Sequence, residues 1–329
     1  MRNFGYEKGI LKSSKFGAAT IGVGNLSMGG TGKTPHVEYL IRLLKDQYKV
    51  ATLSRGFGRT KRGFVIADED STALDVGDEP LQFYTKFKDN VVVAVEANRV
   101  LGAMDLFYQH PERNVLLLDD AYQHRAIHAG LNILLTDYSH PFHRDMILPV
   151  GNLRESKSGR KRADVVVLTK CPVFENVDKG QWKRDLKITE NQSFFMSRIA
   201  YDQLIDIQGE PLKEQAQKII LVTGIATAAP LVEHLQKETE ILHHFEYRDH
   251  YRFKPHDIQE IHNLFDKFAD NNVVIVTTEK DMMRLKNRAE FQSMKSYPWA
   301  IQGIKIQLDE PEKFNQIIID YVENHHRSN

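Results

Sequence analysis

Residues 18–44 read AATIGVGNLSMGGTGKTPHVEYLIRLL, and the order of their parts decides the fold. A short apolar run, 18–23, is followed by the glycine-rich SMGGTGKTP (27–35) and then by Val37, Leu40, Ile41 and Leu44 at helical spacing. Apolar residues at i, i+3, i+4 and i+7 share one face of a helix. The stretch therefore predicts strand, loop, helix. Glycines 29, 30 and 32 let the backbone curl so that successive N–H groups face phosphate oxygens, and the helix adds its positive N-terminal end. Ser27, Met28, Gly29, Gly30, Thr31, Gly32, Lys33 and Thr34 are the expected nucleotide-binding residues, with Lys33 on the β and γ phosphates and Thr34 on Mg²⁺. Ser27 stands where a Gly-x-x-x-x-Gly-Lys-[Ser/Thr] loop has its first glycine.

Working outward, apolar runs at 50–54, 91–95, 115–119, 132–136, 164–169, 218–223, 273–277 and 300–307 read as further strands. VVVAV (91–95) and VLLLD (115–119) are apolar on both faces, as in parallel strands covered by helices on each side. Ile258, Ile261, Leu264, Phe265 and Phe268 mark a later helix. The alternation predicts an α/β protein: a P-loop kinase-like α/β/α sandwich with a second, smaller α/β domain. The hydrophilic RESKSGRKRAD (154–164) is the expected junction, dividing a P-loop domain, 1–157, from a second domain, 158–329, that closes over a cleft.

Composition narrows the classes. The 329 residues balance 44 Lys+Arg with 44 Asp+Glu, so no global charge draws the chain to nucleic acid. One cysteine, Cys171, forms no intramolecular disulfide and asks for no oxidising compartment, so cytoplasm is the default. MRNFGYEKGILKSSKFG (1–17) has neither a signal-peptide core nor a membrane-spanning run; it reads first as a lead-in segment packed on the domain, although Phe4, Tyr6, Ile10 and Leu11 among basic residues would also suit an acidic membrane surface. The chain is expected to act as a monomer.

A nucleotide site needs acids for its metal. LLLDDAYQH (116–124) puts Asp119 and Asp120 at the carboxyl end of an apolar strand, where ligands bind in such sheets. LSRGFGR (53–59) offers Arg55, VGDEP (76–80) offers Asp78 and Glu79, and GNLRES (151–156) offers Arg154 and Glu155. Together these supply a candidate base, an arginine for transition-state charge and another metal carboxylate, and spacing alone does not rank them. YRDHYRF (247–253) carries His250, suited to pairing with a carboxylate, while TTEKD (277–281) reads as a capped helix start with Thr278 as cap.

VGNLSMGGTGKTP, LSRGFGR, VGDEP, LDDAYQH, LPVGNLRE, VTGIA, DHYRF and TEKD occur in the order found in tetraacyldisaccharide 4'-kinases, the lipid A 4'-kinases of Gram-negative bacteria, and from about residue 20 to 285 the chain resembles that family. The resemblance implies transfer of the ATP γ-phosphoryl group to the 4'-hydroxyl of tetraacyldisaccharide 1-phosphate, giving lipid IVA at the cytoplasmic face of the inner membrane. It implies Asp78 as catalytic base with His250 as its partner, Lys33 and Thr34 at phosphate and Mg²⁺, and Asp119, Asp120, Arg154 and Glu155 around the metal and the transferred group. Two departures from the family stand out: in place of its usual hydrophobic, membrane-associating N-terminal segment residues 1–17 offer at most the reduced surface of Phe4, Tyr6, Ile10 and Leu11, unless the chain start omits that segment, and Ala121 occupies an expected glycine position. Lys157, Arg160, Lys161 and Arg162 would meet the substrate 1-phosphate, acidic head groups or only solvent. The competing readings are another P-loop activity, ligase-type or GTPase, and a non-catalytic nucleotide-binding scaffold; TEKD lacks the asparagine of a guanine motif.

Overall fold

Apolar runs long enough to cross a domain, broken by glycine-rich or polar turns, build two sheets in this chain. The structure is a computed structural model describing residues 2–212, 216–268, 272–286 and 291–327. Its strands are β1 (Ala19–Asn25), β2 (Val50–Ser54), β3 (Val65–Ile66), β4 (Val91–Val95), β5 (Val115–Asp119), β6 (Leu131–Asp137) and β7 (Val165–Thr169). They continue as β8 (Ser193–Tyr201), β9 (Ile205–Asp206), β10 (Lys218–Thr223), β11 (Glu240–Glu246), β12 (Val273–Thr278), β13 (Trp299–Gln302) and β14 (Ile304–Leu308).

The larger sheet has the order β14-β8-β7-β6-β1-β5-β2-β4-β3. β8 through β4 in that order pair in parallel, and β3 joins antiparallel. All residues of β1, β2, β4, β5 and β7 are buried, as the unbroken apolar runs require. The order turns around β1, which has β5 on one side and β6 on the other. Such a switch point opens a crevice beyond the strand ends, and the glycine-rich loop leaves β1 into it. The helix Lys33–Leu44 buries Val37, Leu40, Ile41 and Leu44 as their spacing predicts. The C-terminal helix Pro311–Arg327 returns to this sheet, where Tyr321 Oη donates to the Thr20 carbonyl at 3.0 Å and accepts from its N–H at 3.1 Å.

The smaller sheet has the order β11-β10-β12-β13-β9 and a core that includes Ile219, Leu221, Leu231, Leu235, Val276 and Ala300. The chain divides into one compact unit of residues 1–71, 75–200 and 305–329 and another of 72–74 and 201–304.

The expected junction at 157/158 needs correction. It falls between β6 and β7, which pair residue for residue from Ile133 with Val165 to Asp137 with Thr169. RESKSGRKRAD is a surface loop within one sheet, carrying the short 3₁₀ helix Lys157–Arg162; its polarity records exposure, not a boundary. The single strand expected at 300–307 is broken at Gly303 into β13 and β14, which belong to different sheets. β8 and β11 also lie outside the expected strands. β11, EILHHFE, is an edge strand with no fully buried residue, so it carries little apolar signal. Cys171 is buried and unbonded to another sulfur.

Candidate active site

The glycine-rich loop keeps the form its glycines permit. Gly29 and Gly32 adopt φ +101° and +83°, the left-handed region that disfavours other residues. A Cβ at Gly29 or Gly30 would meet nothing within 4 Å, so the backbone here faces open space that a phosphate can approach. Beneath it the loop is braced. Asn25 Nδ2 donates to Thr31 Oγ1 at 2.9 Å, and Thr169 Oγ1, at the end of β7, donates to the Thr31 carbonyl at 3.0 Å. His36 lies 2.7 Å from the Gly32 carbonyl through Nδ1 and 3.1 Å from Ser197 Oγ through Nε2. Burial lowers its pKa to about 4, so it is a neutral strut with its proton on Nδ1.

Three charged groups converge beside the loop. Arg154 Nη1 donates to both oxygens of Asp120 at 2.9 Å, and Lys33 Nζ lies 3.6 Å from Asp120 Oδ1. Burial works to raise the Asp120 pKa, but Lys33 and Arg154 together outweigh it and hold the carboxyl below its ordinary value. Asp120 sits at φ +49°, a conformation Asp tolerates better than most residues, and this turns the chain at the end of β5. Arg154 is brought there by the segment that carries it: Arg154 N–H donates to the Leu26 carbonyl, Met28 N–H donates to the Asn152 carbonyl, both at 2.7 Å, and Ser27 bridges Leu153.

Asp119 is different. It is 5% exposed, and its Oδ1 is buried with no hydrogen-bond partner among the described residues. Burial, and then the neighbouring Asp120 carboxylate, push its pKa up to about 7; Lys33 and Arg99 oppose the rise and Glu79 adds to it. The influence of Glu79 puts the start of the helix Asp78–Phe87 within electrostatic range of this strand end. Arg99, 2% exposed, donates through Nη1 to the carbonyls of Glu96 at 3.0 Å and Ala97 at 3.1 Å. Sequence reasoning missed Arg99, which stands alone in a helix start, EANRV, without a motif signal.

Glu155, the further expected metal carboxylate, is buried and accepts three hydrogen bonds. Its Oε1 accepts from Arg162 at 2.7 Å and Gln123 at 3.0 Å, and its Oε2 accepts from Asn3 at 3.0 Å. Gln123 also donates to the Asn25 carbonyl at 2.7 Å, so this buried carboxylate ties the Arg154 loop to the base of the glycine loop. Tyr6 packs under the Arg125 guanidinium, which shows the N-terminal helix Arg2–Glu7 resting on this region. Ile10 and Leu11 are exposed, and the Phe4 side chain lies outside the described residues.

Asp78 is buried and opens its helix directly after Gly77. Gly77 has φ +96°, and a Cβ there would lie 2.9 Å from the Phe57 carbonyl oxygen; one at Gly56, φ +69°, would lie 2.7 Å from that of Val76. LSRGFGR and VGDEP thus meet backbone to backbone, and only glycine allows it.

His250 belongs to the other unit. It takes φ +56°, its N–H donates to the Gly224 carbonyl at 3.1 Å, and Lys280 Nζ lies 3.1 Å from its Nε2. Lys280 also lies 3.7 Å from Asp249 Oδ1. Behind them Asp281, wholly buried, accepts from Gly224 N–H at 3.0 Å, Thr278 Oγ1 at 2.6 Å and Arg284 Nη2 at 2.6 Å. Arg284 Nη1 donates on to the Tyr251 carbonyl at 3.0 Å. Thr278 caps the helix Glu279–Leu285 as expected, and Asp281 and Arg284 join VTGIA, DHYRF and TEKD into one network around His250.

The family model described as LpxK, tetraacyldisaccharide-1-P 4'-kinase, matches residues 1–323. A tetraacyldisaccharide 4'-kinase of Flavobacterium johnsoniae is 47% identical over 293 residues, covering 87% of this chain and 83% of that protein. One of Bacteroides thetaiotaomicron is 42% identical over 345 residues, covering 100% and 90%. Among solved structures, LpxK from Aquifex aeolicus in complex with ATP is similar with a TM-score of 0.76 and 28% identity, over 98% of this chain and 94% of that one.

Proposed function

The chain belongs to the tetraacyldisaccharide-1-P 4'-kinase family, and from that premise we propose which of its residues carry the reaction. It catalyses ATP-dependent phosphorylation of the 4'-hydroxyl of a tetraacylated disaccharide 1-phosphate in lipid A biosynthesis. The observation that carries the assignment of roles is the convergence of Lys33 and Arg154 on Asp120 beside the glycine loop.

Residues 27–34 cradle the ATP phosphates, and Lys33 and Arg154 neutralise charge on the γ-phosphoryl group as it transfers. A sugar hydroxyl is a poor nucleophile at neutral pH. Asp78 accepts the proton of the 4'-hydroxyl as that oxygen bonds to the γ-phosphorus, and the bond from phosphorus to the bridging oxygen breaks to release ADP. His250, held by Lys280 and Gly224, partners Asp78.

Mg²⁺ fits the donor set present. The unpartnered Oδ1 of Asp119 and the hydroxyl of Thr34 are oxygen donors beside the loop, and Asp120 is a third. Among the described residues no three His, Cys, Asp or Glu side chains gather as a metal cage, which suits an ion that takes its remaining oxygens from phosphate and water. When bound it would screen charge on the β and γ phosphates. Glu155 braces the Arg154 loop through Arg162, Gln123 and Asn3 and, like Asp120, keeps carboxylate lone pairs for the ion.

A lipid acceptor supports a site of action at the cytoplasmic face of the inner membrane, with peripheral contact; among the described residues no helix is long and apolar enough to cross a membrane. The test is transfer of label from γ-labelled ATP to tetraacyldisaccharide 1-phosphate in detergent micelles with Mg²⁺. Label at the 4'-position is the expected product. Bound ATP with no label in the lipid would overturn the reading.

A further inference from the structure

The segment that delivers Arg154 carries an apolar tip that the chemistry above does not use. Met146, Ile147, Leu148 and Val150 are 61%, 50%, 46% and 77% exposed, and Pro149 between them is exposed too. Five consecutive apolar residues in water are costly for a soluble protein and mark contact sites. The exposure is built, not the result of a slack loop. Leu148 N–H donates to the Leu153 carbonyl at 3.0 Å, Leu153 N–H donates to that of Met146 at 2.9 Å, and Val150 N–H donates to that of Ile147 at 3.1 Å. Asp145 Oδ1 accepts from the amides of Met146 at 2.7 Å and Asn152 at 3.1 Å, which turns the loop's own carboxylate inward. A Cβ at Gly151 would lie 2.4 Å from the Met146 carbonyl oxygen, so the two arms of the loop are closed against each other.

Cations stand at its base. Arg144 has a 66% exposed side chain, Lys157 Nζ donates to the His143 carbonyl at 2.7 Å, and Lys157 and Lys161 are exposed. Apolar tip and basic collar match the two layers of an anionic bilayer surface, acyl chains under phosphate head groups. We propose that residues 146–150 insert into an anionic bilayer, with Arg144, Lys157 and Lys161 on its head groups. Through the bridge from Leu153 to Ser27 the loop then fixes the bilayer surface beside the phosphate-binding loop. This deepens, and rests on, the assignment of a lipid acceptor.

The experiment is flotation of the full chain with phosphatidylcholine vesicles, with or without one third phosphatidylglycerol, in the absence of ATP and acceptor. It compares wild type with Ile147→Ser/Val150→Ser, Lys157→Gln/Lys161→Gln and Ile10→Ser/Leu11→Ser, each checked for nucleotide affinity and cooperative unfolding. The expected result is wild-type binding to anionic vesicles, a fall of about tenfold or more in Ile147→Ser/Val150→Ser, loss of the salt-sensitive part in Lys157→Gln/Lys161→Gln, and near-wild-type binding in Ile10→Ser/Leu11→Ser. Wild type that floats with no vesicle, or Ile147→Ser/Val150→Ser that floats like wild type, overturns the proposal. Because binding is read without turnover, failure here is separable from failure of the kinase assignment.

Discussion

Asp119 and Asp120 are adjacent in sequence and opposite in electrostatics. Asp120 is neutralised by Lys33 and Arg154, whereas Asp119 is buried beside that carboxylate with its pKa raised from 3.8 to about 7. The sign of the consequence is fixed: the folded protein binds this proton more tightly than the unfolded chain, so Asp119 costs stability as pH rises from about 4 to about 7 and the full cost is present above that. Asp119→Asn in the ligand-free protein is therefore expected to raise the thermal midpoint at pH 8 by several degrees, on the order of 2 kcal/mol. The same variant should weaken Mg²⁺-dependent ATP binding roughly tenfold or more if the proposed carboxylate ligand is the one removed. Calorimetry at pH 5 and pH 8, with nucleotide titration, checks both. A midpoint and affinity unmoved by the substitution would show that Asp119 is neither strained nor a ligand.

At the scale of elements, function depends on where turns touch. Gly56 and Gly77 bring LSRGFGR and VGDEP within a Cβ of each other, and this contact aims the first turn of the Asp78 helix. Gly77→Ala is expected to cost about 1–3 kcal/mol in strain and to lower turnover, while nucleotide affinity stays within a few-fold; thermal melts and steady-state kinetics read the two. Each motif was legible in the sequence as a glycine-bearing turn, but their meeting was not, because it depends on the ends of β2 and the Asp78 helix being packed in space. The cap at Thr278 was legible from its three-residue spacing to Asp281, whereas the reach of Arg284 to Tyr251 crosses between elements and left no periodic trace. Arg284→Met leaves Asp281 buried and short of its cation, which costs roughly 3–5 kcal/mol when a buried pair is broken. The expected outcome is a lower thermal midpoint with turnover reduced through His250 and ATP affinity kept; an unchanged melt would contradict the network.

Across the whole molecule, the α/β class and the loop at the switch point were readable because unbroken apolar runs and a 3.6-residue period are local signals. The division into units was not. Residues 154–164 look like a linker because they are polar, yet β6 and β7 pair on either side of them, and apart from residues 72–74 the chain leaves the large unit only near 200 and returns at 305. Gly303 and the polar edge strand β11 hid that return, since neither interrupts composition. The division assigns Asp78 to one unit and His250 to the other. The most direct measurement is single-turnover transfer from γ-labelled ATP to the lipid acceptor by wild type and by Asp78→Asn, an isosteric change that removes only the basic oxygen. The account predicts a fall of about 10²–10⁴-fold in the rate with ATP affinity within about threefold of wild type, because residues 27–34 are untouched. Asp78→Asn transferring label at the wild-type rate would contradict it.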